Sequence, residues 1–375
     1  MKRIVFILLV AVLMLLVLSP IVFAADEQNF IEQQYETSGA QDLIGELPKE
    51  TQDMLDSIGV DQVEFSQLYN VSFTRLLEMF KNIVLGELEN PLKFLVVMVG
   101  VLILISIVQT IVPQENNKAV ELACSLFFII ATMSSMMSYA SYIISAIDTS
   151  CKFMLGFIPV FTAVIAISGN PAAAISYNTV AMAIAQSASG FTNAFLIPLV
   201  VMFVALSIAA AVSPALNMDG ILEMLKKTIV WLLTATCTLF TGFLSLKGIL
   251  VSSADTVAVK SGKAVVGALV PIIGNALSES YSSILGSMSM LKNAVGVFGI
   301  ISVTLINLPV LVQALMWIAS IFLVAFAAES MGQKNCAKLL KNINSTNIIL
   351  VAILVFNLVL IMVSTALVML FKSTV

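Results

Sequence analysis

The residues best suited to chemistry crowd into one stretch, 252–296, where Asp255, Lys260, Lys263, Asn275, Glu279 and Lys292 surround Pro271. Ionisable groups are costly inside a bilayer, and those found within spans mark solute paths, ion sites or proton relays. An Asp255–Lys260 ion pair suits this picture poorly, because a spacing of five does not share one helical face. The same residues also fit an exposed loop whose lysines reach back to lipid headgroups. Both readings stay open: a cluster that lines a pathway, or a structural polar loop.

Other chemistry is largely excluded. The chain has no histidine, which removes imidazole bases, Ser-His and Cys-His pairs, and His-ligated metals. Arg3 and Arg75 are the only arginines, too few for a phosphate-reading cluster. Cys124, Cys151, Cys237 and Cys336 contain no C-x-x-C pair, so neither a disulfide framework nor a cysteine metal site is implied. Gly262-Lys263 lacks the upstream glycine of a P-loop and runs into Ala264. Any nucleotide-driven work must come from a partner. The sequence therefore implies no catalytic residue and no cofactor, and the chain does not read as an enzyme.

The elements that must position the cluster follow from composition. The 375 residues are 59% apolar and 11% charged, against about 45–50% and 25% for a soluble domain. Lys2 and Arg3 precede an apolar run from Ile4 to Leu18 and the small-residue site Val22-Phe23-Ala24. That is the pattern of a cleaved export signal over residues 1–24, with an uncleaved anchor as the rival. Residues 25–92 then read as an acidic segment outside the cytoplasm. Over 25–90 fourteen acids face Lys49, Arg75 and Lys81, a net of −11, which disfavours nucleic acid as a partner. Here "ELPKETQDMLDSIG" has a first-turn proline, Pro48, and a terminal glycine, Gly59. Phe73, Leu76, Leu77, Phe80, Ile83 and Val84 follow helical spacing up to Pro91 and Lys93. That helix fits either the outer leaflet or another subunit.

Apolar runs long enough to cross a bilayer are Phe94–Val112, Ala119–Ile147, Val180–Val212, Ile229–Leu250, Ala294–Ala328 and Ile348–Phe371. Two shorter blocks, Phe153–Ser168 and Ala264–Ser278, carry proline and glycine and fit either a crossing or a re-entrant segment. The fold class is thus an all-α polytopic membrane protein of 6–8 transmembrane helices with proline-broken segments. A repeat runs through it. Gly156 and Gly267 are 111 residues apart, Pro159 and Pro271 112, Pro198 and Pro309 111, and Lys226 and Lys338 112. "ISGNP", with Asn170, pairs with "IIGNA" and Asn275. Ser134, Ser138, Ser141 and Ser145 form one hydroxyl face, and Thr234, Thr238, Thr241 and Ser245 another of equal spacing. Such faces favour helix packing over pore lining. The chain then divides into the signal at 1–24, the acidic segment at 25–92 and a first span at 93–118. Repeats follow at 119–228 and 229–347, with a last span at 348–375. If both short blocks cross, eight spans hold inverted repeats; if both are re-entrant, six spans hold parallel ones. The lysine distribution leans towards eight without deciding.

From Ala254-Asp255-Thr256 through "GALVPIIGNALSES" to "LKNAVGVFG", the chain resembles the stage III sporulation protein AE family of endospore-forming bacteria. "GFIPVFTAVIAISGN", "LPVLVQAL" and "ELPKETQDML … ENPLKFL" carry the likeness further. Asp255, Lys263, Pro271, Asn275, Lys292 and Asn293 match the family's pattern. The resemblance implies a multi-pass component, in the mother-cell membrane around the forespore, of a secretion-like channel complex. It further implies small membrane and ring-forming partners and a separate cytoplasmic ATPase. From the repeats alone, the competing reading is a self-contained secondary transporter with a midplane site between its halves.

Overall fold

Uninterrupted apolar sequence becomes uninterrupted helix in this chain, and the helices run longer than the sequence suggests. A computed structural model describes residues 38–63, 67–68, 71–111, 117–212, 218–236, 238–240, 242 and 274–369. The export signal at 1–24 and the residues Asp255, Lys260, Lys263 and Pro271 lie outside the described residues. A 3-10 turn at Ala40–Ile44 precedes α1 (Lys49–Ile58), α2 (Phe73–Glu87) and α3 (Glu89–Ile111). Next come α4 (Asn117–Ile167) and α5 (Pro171–Phe191). A π-helical turn, Thr192–Leu196, joins α5 to α6 (Ile197–Val212). Residues 219–236 form α7, followed by α8 (Gly274–Ser330) and α9 (Lys334–Met369). Among the described residues there is no strand. Among the described residues four stretches are long and apolar enough to cross a membrane: Phe73–Ile111, Leu122–Ile167, Met288–Ser330 and Lys334–Ala366.

Stops and turns follow local chemistry. Pro48 sits one residue before α1, and Gly59 ends it in the left-handed region at φ 84°. The N–H groups of Gly59 and Val60 there return to the carbonyls of Asp56 and Leu55. Gly169 and Gly332, at φ 81° and 77°, turn α4 into α5 and α8 into α9. Two polar contacts fix a further direction. Lys338 meets Asp219 at 2.8 Å and Lys226 meets Ser345 at 3.2 Å, so residue numbers rise together and α7 runs parallel to α9.

Two expectations need correction. Phe153–Ser168 is not a separate short block but the second half of α4, and Pro159 lies inside that helix. Pro159 thus does not break its segment, nor does Pro309 inside α8, while Pro271 of the other short block lies outside the described residues. A mid-helix proline removes one backbone bond and crowds the carbonyl four residues back. Around Pro159 the loss is tolerated because Phe153, Phe157 and Phe161 are buried along the rest of the helix, while the proline itself is exposed. Pro198 differs. It follows closely on the π turn, where the Ile197 N–H returns to the Thr192 carbonyl and the extra residue absorbs the distortion.

Helix length explains the architecture. α4 has 51 residues and α8 has 57, about 76 and 85 Å at 1.5 Å per residue, whereas a bilayer's hydrocarbon layer is about 30 Å thick. Each rod therefore passes through two stacked cores. The first gathers α3, α4 as far as Cys151, α6, α7, α8 from Val310 onward, and most of α9. At its centre Trp317 packs against Phe94 and Tyr139, with ring centroids 4.9 and 5.5 Å apart. The second core gathers Leu43, Leu55, Ile58 and Met79 of the N-terminal segment with Phe153–Ile165 of α4, part of α5, and α8 as far as Ile306. Phe153, Phe157 and Phe161 stack at 5.8 and 5.2 Å, and Tyr177 meets Phe161 edge-on at 5.1 Å. Gly299 and Gly296 let α8 approach these rings: a Cβ on Gly299 would lie 2.3 Å from Phe157.

α2 stands on α3. Leu88, between them, keeps helical angles (φ −75°, ψ −27°), and Leu92 N–H bonds to its carbonyl. The backbone therefore stays helical from α2 into α3.

Candidate functional site

Polar side chains inside apolar bundles must find partners or remain costly, so their placement is informative. In this structure they collect where the two cores meet. Glu87, at the end of α2, accepts hydrogen bonds from Gln313 Nε2 of α8 at 2.6 Å and Tyr142 OH of α4 at 3.2 Å. One carboxylate thus ties three helices through two neutral donors. Asn307 Nδ2 of α8 donates to Ser150 Oγ of α4 at 2.8 Å, and both residues are buried. Asn357 Nδ2 of α9 lies 3.3 Å from Thr192 Oγ1, at the start of the π turn. These pairs form a polar collar crossing α2, α4, the π turn, α8 and α9.

A second polar group closes the opposite end of the first core. Besides the Asp219–Lys338 and Lys226–Ser345 contacts, Lys341 pairs with Glu329 and Gln333 donates to Gln109 at 2.6 Å. The starts of α7 and α9 and the ends of α3 and α8 meet there.

The sequence-derived cluster is only partly brought together. Asn275 and Glu279 lie on the first turns of α8, with Glu279 about 20 Å along the helix from Lys292. Lys292 is 1% exposed, on the second-core part of α8, with Asn293 half-buried beside it. One turn earlier on α8, the carbonyl of Met288 meets Ser168 Oγ at 2.6 Å. The turn after α4, which holds buried Asn170, therefore abuts α8 near Lys292, and Asn170 Nδ2 donates to the Ser168 carbonyl. Among the repeat positions, Gly156 is half-buried beside Glu46, Pro159 and Pro198 are exposed, and Pro309 is half-buried between the two cores.

The hydroxyl faces are another difference. Ser134, Ser138, Ser141 and Ser145 are exposed along α4, as are Thr234 on α7 and Thr238 beyond its end. Thr234 and Thr238 donate to carbonyls one turn back, and Ser138 lies 3.4 Å from its own. Among the described residues no other helix covers these faces, and Thr241 and Ser245 lie outside the described residues. The collar residues Glu87, Tyr142, Gln313, Asn307, Ser150, Asn357 and Thr192 were missed by sequence reading. An acid just ahead of Pro91, and amides near Pro309 or alone in "VFNLVL", were the available signals.

Rods of apolar helix long enough to cross a bilayer, pinned by buried polar pairs, define a helical membrane protein. The family model for Stage III sporulation protein AE matches residues 57–372, and the chain belongs to that family. It is 22% identical over 211 residues to the Stage III sporulation protein AE of Bacillus subtilis (strain 168). That match covers 54% of this chain and 53% of the relative, so the chain spans about half the length of the curated protein it matches. No solved structure matches it significantly.

Proposed function

We propose that this chain is a non-enzymatic subunit of the channel complex joining mother cell and forespore, acting as conduit or export-gate scaffold. Family membership supplies the sporulation role. The observation that carries the rest is the exposed hydroxyl face of α4. Beside it in the same core, Ile130, Met137, Phe322 and Leu323 are exposed as lipid-facing residues would be. Hydroxyls there are suited to water or to another subunit, not to acyl chains.

In this reading the N-terminal segment and the second core project outside the cytoplasm, where ring-forming partners would meet them. The end carrying Lys226, Lys338 and Lys341 faces the cytoplasm, towards a separate ATPase, although the lysines of residues 91–375 divide almost evenly between the two sides. Starting outside, α3, α4, α5–α6, α7, α8 and α9 cross in alternation, six times. Because α7 and α9 run parallel, their antiparallel neighbours α6 and α8 do too. Pro198 and Pro309, and Lys226 and Lys338, then correspond through parallel repeats about an axis along the membrane normal.

Reporter fusions after residues 115, 175, 220, 260 and 335 test the topology. Six crossings give inside, outside, inside, outside, inside; eight crossings put 220 outside and 260 inside. Cysteines replacing Ser138 and Thr238, in a background freed of native cysteines, test the conduit. Modification by a membrane-impermeant thiol reagent in the assembled complex supports it, and complete protection selects the scaffold. Purified protein that alone accumulates a small solute in liposomes overturns the subunit reading in favour of a transporter.

A further inference from the structure

We propose that the exposed face of α2 docks a basic amphipathic helix of a partner protein. Phe73, Leu77 and Phe80, spaced i, i+4 and i+7, are 77%, 55% and 48% exposed. That is the spacing by which one helix engages another, and aromatic residues make the strongest anchors. The flank of α2 about 100° round from this stripe is already occupied, with Met79 buried in the second core and Ile83 packed against it.

Lipid fits this face badly. The Lys93–Glu89 ion pair marks the polar end of α3, and Phe80 and Phe73 stand about 20 and 30 Å beyond Lys93 along a continuing helix. The membrane that α3 crosses does not reach so far.

Charge selects the partner. Glu50, Asp53, Asp56 and Asp61, on α1 and the residues after it, are exposed, as is Glu78 on α2. The cations opposing them are few. Arg75 is directed at the C-terminal end of α1, its Nη1 2.4 Å from where a Cβ on Gly59 would stand. The other cations there are Lys81 on α2 and Lys49 at the start of α1. An apolar stripe on so acidic a segment complements a helix with leucine-like residues on one face and lysine or arginine on the other.

This inference rests on the subunit reading for its compartment, but its test uses the full chain without other subunits, so its failure leaves the reporter-fusion result standing. The chain in phosphatidylcholine nanodiscs is titrated with labelled synthetic helices: an amphipathic Leu/Lys helix, its Leu/Glu counterpart, and a Lys helix with scrambled leucines. After subtraction of empty discs, the Leu/Lys helix is expected to bind, more weakly as salt rises. Phe73→Ser with Phe80→Ser should lower its affinity about tenfold or more while leaving the melting curve unchanged, because both side chains are exposed. Leu77→Lys provides a second variant that repels the probe without removing an aromatic ring. Equal binding of the Leu/Glu helix, or indifference to all these substitutions, overturns the proposal. So does quenching of a probe at position 77 by doxyl lipid (a bilayer occupant) or its cross-linking between copies. A tenfold gain in binding on deleting residues 1–37, meaning that the chain covers its own face, overturns it as well.

Discussion

Beyond Pro309, α8 packs Val310, Ala314, Trp317 and Ile321 in the core shared with α3 and α9, whereas before it the same helix meets Phe157 and Phe161 through Gly299 and Gly296. The first region packs some apolar residues against other helices and leaves many more exposed, among them Val96, Leu104, Phe127 and Phe326. The second encloses its apolar residues with the N-terminal segment. Lipid solvates the outside of one, so close packing holds it together. Water surrounds the other in the proposed placement, so the hydrophobic effect drives its closure. One helix can serve both because only its neighbours change.

That contrast can be broken most sharply at Phe157. Phe157→Ala leaves a cavity at the centre of the ring stack and should cost about 3–5 kcal/mol. Limited proteolysis should then release residues 38–63 early while the membrane-level helices persist. Trp317→Ala should not expose that segment, and equal release by both variants would merge the two cores into one cooperative unit. Gly299→Leu comes next. It drives a side chain into the Phe157 ring and should cost about 1–3 kcal/mol, visible as a lowered first transition in a thermal melt. The smallest effect belongs to the lysine-rich end. Lys338→Met removes an exposed pair with Asp219 and should shift stability by about 0.2–1 kcal/mol; a larger loss would show that this end carries more of the bundle than its exposure suggests.

Sequence made the helical class legible, because apolar runs and the stop at Gly59 are local signals. It divided Phe153–Ser168 from the preceding span because proline and glycine are local signals, whereas the continuity of α4 through Pro159 rests on distant partners. Leu43, Leu55 and Phe298 bury that block, and none is its neighbour in sequence. The collar was illegible for a related reason. Asn307 finds Ser150 across 157 residues and Gln313 finds Glu87 across 226, and no local spacing encodes such pairs. Of the site read from sequence, Lys292 and Asn170 come to the same end of α8, whereas Glu279 lies well along the helix from them.

The π turn at Thr192–Leu196 has a consequence for facing. One residue more than a regular turn requires rotates everything after it by roughly 100° about the axis. The stretch from Pro171 to Val212 therefore has two phases. Tyr177 and Ala181 point into the second core on one phase, and Val200 and Phe203 face the membrane-level helices on the other. A single unbroken rotation could not aim both sets inward, so the turn acts as the key change that lets one helix read two different partners.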